Sequence, residues 1–195
     1  AQNILRYSCP GLNESFEESN VLRVSKLADV SSLPKGKSIE DFNKDLRPIS
    51  LTSTLSKVTE GFVIEKDLQP VLLKCNDPNQ YGFIPNSCTT FALISMLHHW
   101  LEATDRSGSH VRVALLDYKK AFYLVHVDHN LLIAKLYSIG VKPTVVNWFC
   151  DFLLNRSQRV KLDSTCFSEF INVPAGIPQG TKIGPSLFLA MMNDL

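Results

Sequence analysis

Asp117 closes the run Val-Arg-Val-Ala-Leu-Leu at 111–116, the segment whose composition most favours a strand. A carboxylate at the end of a buried strand is held rigidly while the loop beyond leaves it accessible, a favoured arrangement for metal or catalytic work. In two-metal phosphoryl transfer, carboxylates hold ions roughly 3.5–4 Å apart, one activating the attacking hydroxyl and one stabilising the leaving oxygen. The same Asp117 could instead simply cap the helix that follows. Two cations, Lys35 and Arg47, flank a polar loop, and the planar guanidinium fork of arginine pairs well with phosphate oxygens. Arg156, Arg159 and Lys161 sit on a stretch that alternates like a ribbon; they could meet a nucleic-acid backbone or face solvent. The loop Ala-Gly-Ile-Pro-Gln-Gly-Thr at 175–181 carries glycines that let backbone approach a substrate closely. His98-His99 and the spaced pair His126 and His129 lack a third ligand at a matching offset, which argues against a metal site.

These residues need elements to position them. Residues 1–27 mix polar and acidic positions without a period and read as a weakly ordered arm or the tail of an upstream region; 28–195 read as the principal domain. Two extended pieces surround the polar loop between Ala28 and Ser50. Ser53 can cap a helix with Leu55, Val58, Phe62 and Val63 on one face, ending before Pro70. After loop-like dipeptides between Asn76 and Asn86, a second helix capped by Asn86 or Ser87 should turn Leu93, Ile94, Leu97, Trp100 and Leu101 inward before Gly108. Helices follow the Val111–Leu116 strand at Asn130–Ser138, closed by Gly140, and at Pro143–Leu154, opened by proline. Gln158–Leu162 and Phe170–Val173 form a two-strand ribbon, and a terminal helix begins after the Gly/Pro loop.

Composition sets the outer bounds. The 195 residues are 45% hydrophobic and 20% charged, which excludes disorder and low-complexity scaffolds. No apolar run approaches the roughly 20 residues that cross a bilayer, and no secretory signal is legible. Five scattered cysteines without a Cys-x-x-Cys pair disfavour zinc and disulfide frameworks and fit a reducing, nuclear or cytoplasmic setting. The charge is +1 overall, with 11 basic against 13 acidic residues through His110 and 9 against 6 beyond it. That split is too small to identify a polyanion partner.

Four motifs occur in order: Leu-Pro-Lys at 33–35 with Leu-Arg-Pro-Ile-Ser at 46–50; Asp-Pro-Asn-Gln-Tyr-Gly-Phe at 77–83; Leu-Leu-Asp-Tyr-Lys-Lys-Ala-Phe at 115–122; and Gly-Ile-Pro-Gln-Gly-Thr-Lys-Ile-Gly-Pro-Ser-Leu-Phe at 176–188. Together they resemble the fingers and palm of a reverse transcriptase, most similar to the non-LTR (LINE-type, jockey-like) retrotransposon class, over Ala28 to Leu195. The resemblance implies an α+β right-hand polymerase fold, with fingers, an incomplete palm sheet and no thumb. It implies an RNA template, a DNA primer and deoxynucleotides as partners, and two Mg²⁺ ions, or Mn²⁺ in their place. It makes Asp117 a catalytic metal ligand joined by the carbonyl of Tyr118, and Phe122 a steric gate that leaves no room for a 2′-hydroxyl. Lys35 and Arg47 would meet the triphosphate, Gln179 and Gly180 the template base and incoming nucleotide, and Gln80 and Gly82 the template path. Arg156 and Arg159 are expected to contact template or primer.

The sequence also departs from that pattern. The family's paired aspartates occur nowhere in it, and Asp194 belongs to an Asn-Asp-Leu segment instead. Tyr123 follows Ala121-Phe122 where the family usually has Asp, and His126-Val127 reads as a two-residue insertion. The chain is therefore expected to be a fragment of a retroelement polyprotein, inactive alone, whose remaining palm, thumb and any endonuclease lie elsewhere. A non-catalytic nucleic-acid-binding remnant and a fragment without function are the competing readings.

Overall fold

The computed structural model describes residues 10–36, 38–105, 108–117 and 127–193. It is an α+β arrangement built on one four-stranded mixed sheet in the order β2-β1-β3-β4. β1 (Leu27–Pro34) and β2 (Leu46–Leu51) are antiparallel, with Leu33 opposite Arg47 and Val30 opposite Ser50. Between them lies the one-turn helix α2 (Phe42–Asp45). Pro48 lacks the N–H a central strand would need, and it is found on β2, an edge strand. β1 also pairs in parallel with β3 (Arg156–Val160), which pairs antiparallel with β4 (Ile171–Val173).

The helices gather their apolar faces into one core. α3 (Thr54–Val63) starts at Ser53, whose hydroxyl accepts from the Ser56 N–H at 3.1 Å. The helical path does not end before Pro70 as expected. A π turn over Ile64–Leu68 leads directly into α4 (Gln69–Cys75), with Pro70 in its first turn, where the missing N–H costs no internal bond. α6 (His129–Ser138), capped by Asp128, and α7 (Pro143–Leu153) follow the expected boundaries closely, with Gly140 at φ +88° between them. α8 (Gly184–Met192) completes the layer. Leu68, Leu132, Leu136, Val146, Phe149, Phe152, Ile183 and Leu187 are all fully buried in this cluster, each large side chain contributing about 1.5–3 kcal/mol.

Three further expectations are corrected. The segment from Pro10 to Lys26 is not a loose arm: α1 (Pro10–Glu17) leads into contacts that tie it to α7. Trp148 donates its indole N–H to Ser15 Oγ at 3.2 Å, Phe16 packs 5.8 Å from the Trp148 ring, and Asp151 receives both the Val21 N–H and the Lys26 ammonium at 2.6 Å. The helix α5 (Thr89–Thr104) forms but buries none of its residues, so Phe91, Leu93, Ile94, Leu97 and Leu101 stay exposed. Val111–Leu116 is not a strand. It is irregular, with Leu115 87% and Leu116 91% exposed, because β propensity becomes a strand only when a neighbour completes the hydrogen-bond ladder.

Candidate functional site

The loop expected to face the nascent base pair is anchored along its length. At its start, Gly176 donates its N–H to the Val127 carbonyl at 3.2 Å, and His129 Nε2 donates to the Gly176 carbonyl at 2.8 Å. That bond holds the His129 ring against the start of the loop. At the centre, the Ser50 N–H on β2 donates to the Gln179 carbonyl at 2.7 Å. Gly180 adopts φ +111°, and a β-carbon there would lie 2.6 Å from the Ser50 carbonyl oxygen and 3.1 Å from Ile49 Cγ2. Only glycine fits that approach. Thr181 Oγ1 donates to the Pro178 carbonyl at 2.9 Å and accepts from Gly184 N–H at 3.2 Å, winding the loop into α8.

A residue that the sequence did not single out holds the far end. Glu60 on α3 is fully buried. Its Oε2 accepts from the Lys182 and Ile183 N–H groups at 2.7 and 3.2 Å, and its Oε1 accepts from Ser56 Oγ at 2.8 Å. A carboxylate placed against the free N–H groups at the start of α8 also meets the positive end of the helix dipole. A lone Glu on an amphipathic helix reads as a surface residue, so no local signal could have revealed this role.

Arg156 is likewise a structural residue, which corrects its assignment to template or primer. It is 3% exposed, and its guanidinium donates to the Phe152 carbonyl at 3.0 Å and the Ser25 carbonyl at 3.2 Å. Burial pushes its pKa down to about 10, while the Glu60 carboxylate pulls the other way, so it stays charged at neutral pH. Arg159 is half-buried; its Nε donates to Asp29 Oδ1 at 2.7 Å, and its guanidinium lies 4.0 and 4.8 Å from the Phe167 and Phe170 ring centres.

Lys35 and Arg47 are exposed on the β1–β2 hairpin. The Lys35 N–H donates to the Asp45 carbonyl at 2.8 Å, and its ammonium reaches the Lys44 carbonyl. Arg47 lies three residues from Ser50 on the same strand, roughly 10 Å along it. Arg47 and the Gln179–Gly180 loop thus share β2, whereas Lys35 lies one residue beyond the end of β1. Gln80 donates its side-chain amide to the Gly82 carbonyl at 2.9 Å, closing a tight local turn. Asp117 is exposed at the end of its irregular stretch, while Tyr118 and Phe122 lie outside the described residues. Among the described residues no group of three His, Cys, Asp or Glu side chains could hold a metal ion. Asp117 by itself does not make a two-ion site.

This arrangement, a mixed sheet whose edge strand receives a Pro-Gln-Gly loop opening a buried helix, coincides with a family match. The chain belongs to the reverse transcriptase (RNA-dependent DNA polymerase) family, which matches residues 33–195. Within that family it is similar to the probable RNA-directed DNA polymerase from transposon X-element of Drosophila melanogaster, with 28% identity over 87% of this chain and 18% of that protein. It is also similar to the RNA-directed DNA polymerase from mobile element jockey of the same organism, with 29% identity over 76% of this chain and 16% of that one. The chain therefore spans under a fifth of the length of these curated relatives. An apo telomerase from Candida tropicalis truncated from its C-terminal domain aligns with a TM-score of 0.49 at 11% identity, covering 98% of this chain and 44% of that one.

Proposed function

We propose that this chain is the fingers and part of the palm of an RNA-directed DNA polymerase of a non-LTR retrotransposon, working inside the cell as part of a longer polyprotein. The reaction of the whole enzyme is attack of a primer 3′-hydroxyl on the α-phosphate of a deoxynucleotide, chosen by an RNA template, with pyrophosphate leaving. The observation that supports this reading best is the approach of Gly180 to Ser50. It joins the loop suited to cradle the nascent base pair to the strand that carries Arg47. Lys35 and Arg47 hold the triphosphate, Arg47 by its planar fork. Gln179 and Gly180 present backbone and amide to the template base and incoming nucleotide, Gln80 and Gly82 border the template path, and Phe122 excludes a 2′-hydroxyl. Divalent ions are general to reverse transcriptases, and Asp117 with the Tyr118 carbonyl is this chain's contribution to holding them. The described residues supply too few ligands for a two-ion site.

The test is primer extension by a longer polypeptide that carries this chain together with a paired-aspartate strand. Asp117→Ala is expected to abolish extension on an RNA template; full activity in that variant overturns the assignment. A second reading, a nucleic-acid-binding unit without catalysis, draws support from the exposed cations Lys35 and Arg47. Salt-dependent RNA binding without primer extension selects it.

A further inference from the structure

We infer that Glu60 is a positioning residue for nucleotide selection: from inside the fingers it fixes the register of the Gln179–Gly180 loop against β2. This inference rests on the polymerase reading above. Three observations converge on it. The carboxylate is fully buried, yet all of its hydrogen-bond partners in the loop are backbone N–H groups, Lys182 and Ile183, placed two and three residues beyond Gly180. The loop's other fixed point is the bond from the Ser50 N–H to the Gln179 carbonyl. Between these points Gly180 passes so close to Ser50 that a β-carbon there would lie 2.6 Å from the Ser50 carbonyl oxygen. The two clamps therefore bracket the two residues expected to touch the base pair.

Ser56 fixes one carboxylate oxygen by its hydroxyl, one helical turn before Glu60, which leaves the other oxygen aimed at α8. Arg156, held by the backbone carbonyls of Ser25 and Phe152, places a positive charge near this carboxylate. Gly61, the next residue, leaves space for the Lys182 side chain: a β-carbon there would lie 3.3 Å from its ammonium nitrogen. α3 is thus shaped at two consecutive positions to receive the segment that leaves the loop.

A purely structural role and a positioning role predict different kinetics. Loss of folded enzyme lowers the apparent kcat and leaves KM for the nucleotide alone, whereas a displaced loop raises KM. In the longer polypeptide, Glu60→Ala is expected to raise the deoxynucleotide KM at least tenfold after correction for active enzyme. Glu60→Gln keeps a carbonyl oxygen for both N–H groups and should recover most of that loss. Ser56→Ala, which leaves the carboxylate in place, should give an intermediate KM and serves where Glu60→Ala does not fold. In the present chain, amide exchange at Lys182 and Ile183 should accelerate more than tenfold relative to α7 amides in Glu60→Ala, or in Ser56→Ala where Glu60→Ala does not fold, and far less in Glu60→Gln. An unchanged KM in every variant that folds, or a Gln variant as impaired as Ala, overturns the inference. A wild-type longer polypeptide that extends no primer overturns the polymerase reading instead, while faster exchange at Lys182 and Ile183 would still show the clamp itself.

Discussion

α7 and α5 are both strongly apolar helices, and they meet opposite fates. α7 buries Val146, Trp148, Phe149, Phe152 and Leu153 along one stripe, whereas the sixteen residues of α5 bury none. The apolar positions of α7 concentrate toward α6 and α1, which lie against it, while those of α5 spread more widely around its axis. A helix apolar on several sides is suited to burial among several neighbours. The Val111–Leu116 stretch beyond it shows the same property as a strand without a ladder. Intrinsic propensity is enough to wind α5, but packing decides whether an apolar face contributes stability.

The comparison can be broken most sharply at one residue in each region. Phe149→Ala, at a fully buried ring, is expected to lower unfolding free energy by about 3–5 kcal/mol. Leu97→Ala on α5 should change it by less than about 0.5 kcal/mol. Denaturant melts monitored by tryptophan fluorescence read both, and equal losses would show that α5 is packed in solution. Next in size is a pair on one strand. Arg156→Ala strips the buried Glu60 of a nearby opposite charge and leaves two backbone carbonyls unpaired, a loss of about 3 kcal/mol or more. Arg159→Ala gives up a half-exposed ion pair and ring contacts, worth about 1 kcal/mol or less. Similar melts for the two would remove the distinction between inside and outside of β3.

The smallest effect is local. The Asp45 carboxyl is held below the usual carboxylate range, first by the Asp41 N–H, then by the Glu40 N–H, with Lys35 adding attraction. A folded-state pKa below the unfolded one stabilises the turn above about pH 4 and loses that contribution as pH falls through the lower folded value. Amide shifts of Glu40 and Asp41 should titrate below pH 4 while those of α7 stay still. A global transition over the same range would mean that the turn and the core are coupled.

These contrasts explain what the sequence disclosed. Where local chemistry decides, it was legible: Ser53, Gly140 and Pro143 mark the ends of α3, α6 and α7, and the alternating residues of the ribbon form β3 and β4. The Gly-Ile-Pro-Gln-Gly-Thr motif pointed to a loop whose backbone approaches a substrate, and within the chain the close approach of Gly180 is to Ser50. Where distant partners decide, it was not. Arg156 and Arg159 read alike, but the first faces the interior because β3 is clamped between β1 and β4 in one register. Glu60 is buried only because residues 182 and 183 fold back onto it from more than a hundred positions away. Val111–Leu116 had the composition of a strand and lacked the partner.

The parallel pairing of β1 with β3 has a consequence for how the chain assembles. Leu27 meets Ser157 and Val30 meets Val160, about 130 residues apart in sequence. The two ends of that ladder can be joined only after a long loop has been closed, and such non-local pairing slows folding. During synthesis the hairpin of β1 and β2 emerges first and must wait, one edge open, while most of the chain is made before β3 arrives. At roughly 5–20 residues per second that interval lasts on the order of ten seconds. Over that time the lone hairpin is only marginally stable, and its open edge is exposed to pairing with other chains.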